Sequence, residues 1–143
     1  IQLSLTLKTV FLCSIRTFIK NKTLQINASD KELSELYTRA SLFVFPSLYE
    51  GFGIPILEAY ACHCPIAISN TSCFPEIAGD AAIYFDPYSV KDIANTIEAI
   101  IYNPQKANEL IQKGIKRLEL YSWEKTVVET EETYKKAIQG YNF

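Results

Sequence analysis

A chain of 143 residues suits one domain with a single core, and 48% hydrophobic with 21% charged residues is the balance of a globular protein. A net charge of −2 excludes a general attraction to nucleic acid. No uninterrupted apolar run approaches the roughly 18–20 residues that a membrane span needs. Charge is unevenly spread: residues 1–29 hold Lys8, Arg16, Lys20 and Lys22 and no acid, so all 16 acidic residues follow. The opening IQLSLTLKTVFLCSI is apolar, but Lys8 interrupts it and it lacks a basic leader and a small-residue cleavage site. Residues 1–23 are compatible with a strand and a helix, and their periodicity does not decide between the two. The chain starts at Ile1 and has no methionine, a hint of a fragment or a mature segment.

Residues 30–41 (DKELSELYTRAS) read as a helix. Ser29 or Asp30 caps it, and Leu33, Leu36, Tyr37 and Ala40 share one face at helical spacing. Residues 42–45 (LFVF) are apolar throughout, as in a strand buried on both faces of a parallel sheet, and Pro46 and Ser47 end it. A turn with two glycines leads into a helix from about Pro55 to about His63. PIAIS is the next strand, FPEIAGD a short helical turn closed by Gly79, and AAIYF a further strand ended by Asp86-Pro87. Ser89 and Asp92 form a capping-box-like start for a helix to about Tyr102. Pro104 opens a second helix to about Leu120, and Ser122 caps a third, WEKTVVETEETYKKAI. Alternating strands and helices with short connections predict an α/β domain, a Rossmann-like parallel sheet flanked by helices over 24–143.

Of four cysteines, Cys13, Cys62, Cys64 and Cys73, none makes a C-x-x-C pair. Cys62-His63-Cys64 lacks a further ligand at zinc-site spacing, and neighbouring helical residues face different ways. No metal is expected, and free thiols fit a reducing cytoplasm.

Chemistry concentrates in Glu50-Gly51-Phe52-Gly53-Ile54-Pro55-Ile56-Leu57-Glu58, between a buried strand and a helix. Ligands of open parallel sheets bind beyond the carboxyl ends of the strands. A helix amino terminus there offers unpaired N–H groups and partial positive charge to a phosphate. Gly51 and Gly53 let the backbone approach a ligand closely. Glu58 is placed to accept hydrogen bonds from two adjacent hydroxyls, as on a ribose. Glu50 is placed to stabilise a sugar carbon that turns positive in an oxocarbenium-like transition state. On spacing alone, both carboxylates fit equally well as solvated helix-end residues.

The run PSLYEGFGIPILEAYACHCPIAISNTSCFPEIAGDAAIYFDP resembles the donor-binding domain of the group-1 (family 4) retaining glycosyltransferases of the GT-B fold. Their Glu, seven residues, Glu pattern is matched by Glu50 and Glu58. P-S-x-x-E-G-F-G, P-E-x-x-G-D-A-A and S-W-E match at Pro46–Gly53, Pro75–Ala82 and Ser122–Glu124. The resemblance spans about residues 24–138. It implies transfer of a sugar with retention from a UDP- or GDP-linked donor to a sugar or lipid-linked acceptor, as in polysaccharide or glycoconjugate biosynthesis. It leans towards mannose among hexoses and needs no cofactor. It implies that Glu50 meets the donor sugar, that the amides of Gly51, Phe52, Gly53 and Ile54 meet sugar hydroxyls and diphosphate, and that Glu58 holds the ribose. Glu76 sits in the matching P-E segment and reads equally well as a surface carboxylate. Trp123, in S-W-E, reads as a packing residue.

Departures from the family are visible. His63 stands where the family commonly has Gly, and reads as a helix-end residue. The acceptor-binding amino-terminal domain and a matching Lys/Arg pair for the diphosphate are absent; Lys20 and Lys22 lie in a different context. The isolated chain is therefore expected to be inactive. An alternative reading is an inactive sugar-nucleotide-binding remnant or module of a split glycosyltransferase. A third uses the basic, apolar first 23 residues at a membrane surface, and peripheral membrane contact of a cytoplasmic enzyme is compatible with the first reading.

Overall fold

The computed structural model describes residues 11–12 and 27–140. The remainder of 1–23, with Cys13, Lys20 and Lys22, lies outside the described residues. In chain order the elements are β1 (Phe11–Leu12), α1 (Asp30–Arg39), β2 (Phe43–Phe45), α2 (Ile54–Ala61), β3 (Ile66–Ser69), α3 (Phe74–Ala78), β4 (Ile83–Phe85), α4 (Val90–Ile101), α5 (Pro104–Leu118) and α6 (Trp123–Gly140).

Local chemistry explains most of the helix starts. The Ser29 hydroxyl accepts from the Glu32 N–H, and the Glu32 carboxylate accepts from the Ser29 N–H at 2.9 Å, a complete capping box. At α4 only half of the expected box forms. Ser89 caps Asp92 N–H, but the Asp92 carboxylate reaches back to the Asp86 N–H at 2.7 Å instead. It thereby ties the end of β4 to the helix that follows. Asn103 and Ser122 cap α5 and α6 through Lys106 N–H and Lys125 N–H.

The sheet has the order β1-β2-β3-β4. β2, β3 and β4 are parallel, with Phe43 opposite Ile66 and Ile68 opposite Tyr84. β1, in the stretch 1–23 that the sequence leaves undecided, pairs antiparallel to β2, with Phe11 opposite Val44. An antiparallel strand is common at the edge of an otherwise parallel sheet.

Period-two alternation divides the core between the two faces. Phe43, Ile66 and Ile68 pack with Tyr37, Ile56, Tyr60, Phe74 and Ile77 under α1, α2 and α3. Val44, Ala67 and Phe85 pack with Ile100 and Leu110 under α4 and the start of α5. The second half of α5 crosses α2 at Gly114, where a Cβ would lie 2.5 Å from Tyr60 Cδ1. The Tyr60 ring is buried and its hydroxyl donates to Ala78 O, so it has little room to yield. Gly114→Ala is therefore expected to cost about 1–3 kcal/mol through overpacking, despite a better helix former, and to lower Tm by several degrees in a thermal melt.

Every residue of α6 is exposed, including Trp123 at 76%. The packing expected of Trp123 is not realised among the described residues, because α6 leaves the body of the domain after Ser122. Among the described residues no helix is long and apolar enough to cross a membrane.

Candidate functional site

β2 and β3 run parallel, so the loops that follow them, 46–53 and 70–73, leave the same edge of the sheet. That edge is where open α/β sheets bind ligands. Gly53 is the N-cap of α2, with φ 99°, and no side chain caps this helix. In contrast α1, α4 and α5 all carry side-chain caps. Among the described residues the amides of Gly51, Phe52, Gly53 and Ile54 donate to no partner. Gly51 and Phe52 are exposed, Ile54 is half-exposed and Gly53 is buried. A Cβ on Gly53 would approach Ile56 Cδ1 at 3.1 Å and the Phe74 ring at 3.4 Å. The loop thus passes close over the core while its N–H groups remain available to an anion.

The two carboxylates are held by different elements. Glu50 is half-buried, and its Oε1 accepts from the Ser47 hydroxyl at 2.9 Å. Glu58, in the second turn of α2, accepts from the Tyr37 hydroxyl of α1 at 3.4 Å. Burial, reinforced by the charge of Glu58, pushes the Tyr37 hydroxyl far above its ordinary range, so it remains a proton donor to Glu58.

A segment that the sequence reading left without a role braces this loop from below. Thr71 Oγ1 donates to Leu48 O at 3.2 Å. Ser72 Oγ donates to Glu50 O at 2.8 Å and accepts from Glu50 N–H at 3.4 Å. Cys73 Sγ contacts Glu50 O at 3.3 Å and Phe52 O at 3.1 Å. Ser47, which the sequence marks only as a strand end within the matching P-S pair, turns out to hold the Glu50 carboxylate. Small hydroxyl residues before a short helix are the only trace of these roles in the sequence, and that trace is shared with any turn.

Glu76 is exposed on α3, and the backbone around it is fixed from several sides. Arg117 donates to the carbonyls of Glu76 and Ile77, Tyr121 to that of Ile77, Tyr60 to that of Ala78 and Tyr84 to that of Gly79. The orphan carbonyls at the end of a five-residue helix are thereby satisfied by side chains. The Tyr121 ring meets the Phe52 ring edge-on at 5.9 Å, which joins this bracket to the glycine loop. Asp80 pairs with Lys113 at 3.1 Å at the surface, and that partner holds its carboxyl below the usual range.

Cys62, His63 and Cys64 do not converge. Cys64 is buried and donates to Pro65 O, its thiol pushed up to about 12 by burial. His63 is exposed with φ 56°, the left-handed conformation that a glycine adopts freely at a helix end. Among the described residues no group of three or more His, Cys, Asp or Glu is placed to hold a metal.

The profile of the family described as Glycosyl transferases group 1 matches residues 13–117. The chain belongs to this family. Among its relatives, the O-antigen chain mannosyltransferase B of Escherichia coli is 38% identical over 106 residues, which cover 74% of the chain and 28% of that protein. The MMP alpha-(1->4)-mannosyltransferase of Mycolicibacterium hassiacum is 33% identical over 114 residues, covering 77% of the chain and 28% of that protein. Sucrose-phosphate synthase from Thermosynechococcus elongatus has the same fold, with a TM-score of 0.70 and 26% identity over 81% of the chain and 30% of that structure. The chain spans less than a third of the length of these relatives. This group 1 glycosyltransferase segment has the GT-B type of α/β domain, three parallel strands flanked by helices.

Proposed function

We propose that this group 1 segment is the donor-binding half of a retaining transferase that moves a hexose, mannose in the first instance, from a nucleotide diphosphate sugar to a sugar or lipid-linked acceptor. The observation that carries this reading is the glycine loop at the carboxyl edge of β2, which leads into a helix start without a side-chain cap, its first amides unpartnered among the described residues. Mannosyltransferases among the relatives support the choice of sugar.

In this reading the diphosphate lies against the amides of Gly51, Phe52, Gly53 and Ile54. These N–H groups and the positive end of α2 stabilise charge as the nucleotide diphosphate departs. Glu50, oriented by Ser47, faces the sugar and stabilises positive charge at its anomeric carbon. Glu58, oriented by Tyr37, accepts from the ribose hydroxyls. The departing nucleotide diphosphate is itself the stabilised leaving group, and no cofactor enters the scheme. The setting is the cytoplasm, where an unpaired thiol such as Cys64 persists. The acceptor is held by a second domain that forms the opposite wall of the cleft.

The test is a transfer assay on the complete polypeptide that carries this segment, with GDP-mannose and UDP-hexoses as donors and NMR of the product's anomeric centre. Transfer with the donor's configuration kept is the expected result. Inversion contradicts the mechanism, and nucleotide-sugar binding without any transfer favours a non-catalytic binding module. The 143-residue chain alone is expected to show no transfer, because it does not fix donor and acceptor in a reactive geometry. Robust turnover by this chain alone would contradict the two-wall arrangement.

A further inference from the structure

Ser72 is one of two described residues other than glycine with a positive φ, at 57°. An L-residue adopts that conformation at a cost, and the cost is repaid only where the surroundings demand it. Here the side chain supplies the demand. Its hydroxyl donates to the carbonyl of Glu50 at 2.8 Å and accepts from the N–H of the same residue at 3.4 Å. Both backbone groups of Glu50 are thus held by one side chain 22 residues further along the chain. The neighbours Thr71 and Cys73 brace the loop two positions before and two positions after Glu50, through Leu48 O and Phe52 O.

We infer that Ser72 is a positioning residue that sets where the Glu50 carboxylate stands against the donor sugar. The inference rests on the donor-site reading given above. Ser47 fixes the direction of the carboxylate, and Ser72 fixes the backbone from which it projects. The remaining contacts of the Glu50 backbone come from the Cys73 thiol, a weaker donor, so loss of the hydroxyl lets the loop drift. A misplacement of about 1 Å at a reacting group costs on the order of 10²-fold in rate.

Ser72→Gly separates this role from that of an ordinary turn residue. Glycine takes up the left-handed backbone without strain, so a residue that merely shapes the turn would leave kcat unchanged and hold or raise Tm. The experiment measures kcat, donor KM and Tm for wild type, Ser72→Gly and Glu50→Gln in the complete transferase with GDP-mannose as donor. The expected result for Ser72→Gly is a fall in kcat of about ten-fold to a hundred-fold, with KM within a few-fold and Tm not lowered. Loss in Glu50→Gln alone overturns the role of Ser72 and leaves the donor site standing. Loss in Ser72→Gly alone also overturns it, since the residue would then act through something other than Glu50. A kcat loss in Ser72→Gly that comes with a lowered Tm marks a folding residue and overturns it too. No loss in either variant, or no transfer by wild type, overturns the donor-site reading and this inference with it.

Discussion

Replacing Glu50 by Gln is expected to lower kcat of the complete transferase by on the order of 10²–10³, the usual cost of removing one well-placed electrostatic contact. The charge matters most when the anomeric carbon is electron-poor, so the loss falls on kcat, with little change in donor KM. Gln keeps the volume and leaves an amide oxygen for the Ser47 hydroxyl, so the fold should persist. Glu58→Gln is the contrast. Its hydrogen bonds to a ribose act on ground state and transition state alike, so the effect lies in donor KM. Steady-state kinetics on both variants, with circular dichroism as a folding control, distinguishes the two. A Glu50→Gln enzyme with kcat within a few-fold of wild type would make Glu50 a binding residue like Glu58.

Gly53→Ala is expected to damage stability and donor binding together. With φ 99° the backbone is in a region that alanine occupies at a cost of about 1–2 kcal/mol. The new Cβ also meets Ile56 Cδ1 at 3.1 Å and the Phe74 ring at 3.4 Å, which adds about 1–3 kcal/mol of overpacking. Relief of that crowding shifts the loop outward and with it the amides at the start of α2. Thermal melting and donor titration of the variant should therefore both show a loss. An unchanged Tm would mean that the loop adapts freely and does not preorganise the anion site.

Much of this was legible in the residues because local and global signals agree. LFVF reads as buried on both faces, and the strand within it does send Phe43 and Val44 into opposite clusters. Ser29 with Glu32 marks the start of α1 by a mechanism that acts within three residues. Gly53 announces a conformation that few other residues reach. His63 with its positive φ shows the converse: a left-handed backbone at a helix end that no glycine announces. The brace from Thr71, Ser72 and Cys73 was not legible, because bonds from side chain to backbone across more than 20 residues leave no periodic trace. The antiparallel β1 was hidden for a related reason, since two residues carry too little alternation to set a direction. Asp92 was read as half of a capping box because its spacing from Ser89 is right. Its carboxylate is taken instead by Asp86 N–H, a donor that only the folded turn brings near.

The central claim is that the turn from Gly51 to Ile54 receives the diphosphate of a nucleotide sugar. It is tested most directly by titrating the isotopically labelled chain with GDP-mannose and following the backbone amides by NMR. The amides of Gly51, Phe52, Gly53 and Ile54 are unpartnered donors at the edge of the sheet among the described residues, and in this reading they face the diphosphate, so they should move first and furthest. Binding is expected to be weak, because the sequence shows no Lys/Arg pair in the family's context for the diphosphate, and the shifts should saturate in the millimolar range. Shifts confined to other parts of the chain, or none at millimolar ligand, would contradict the assignment of the donor site to this loop.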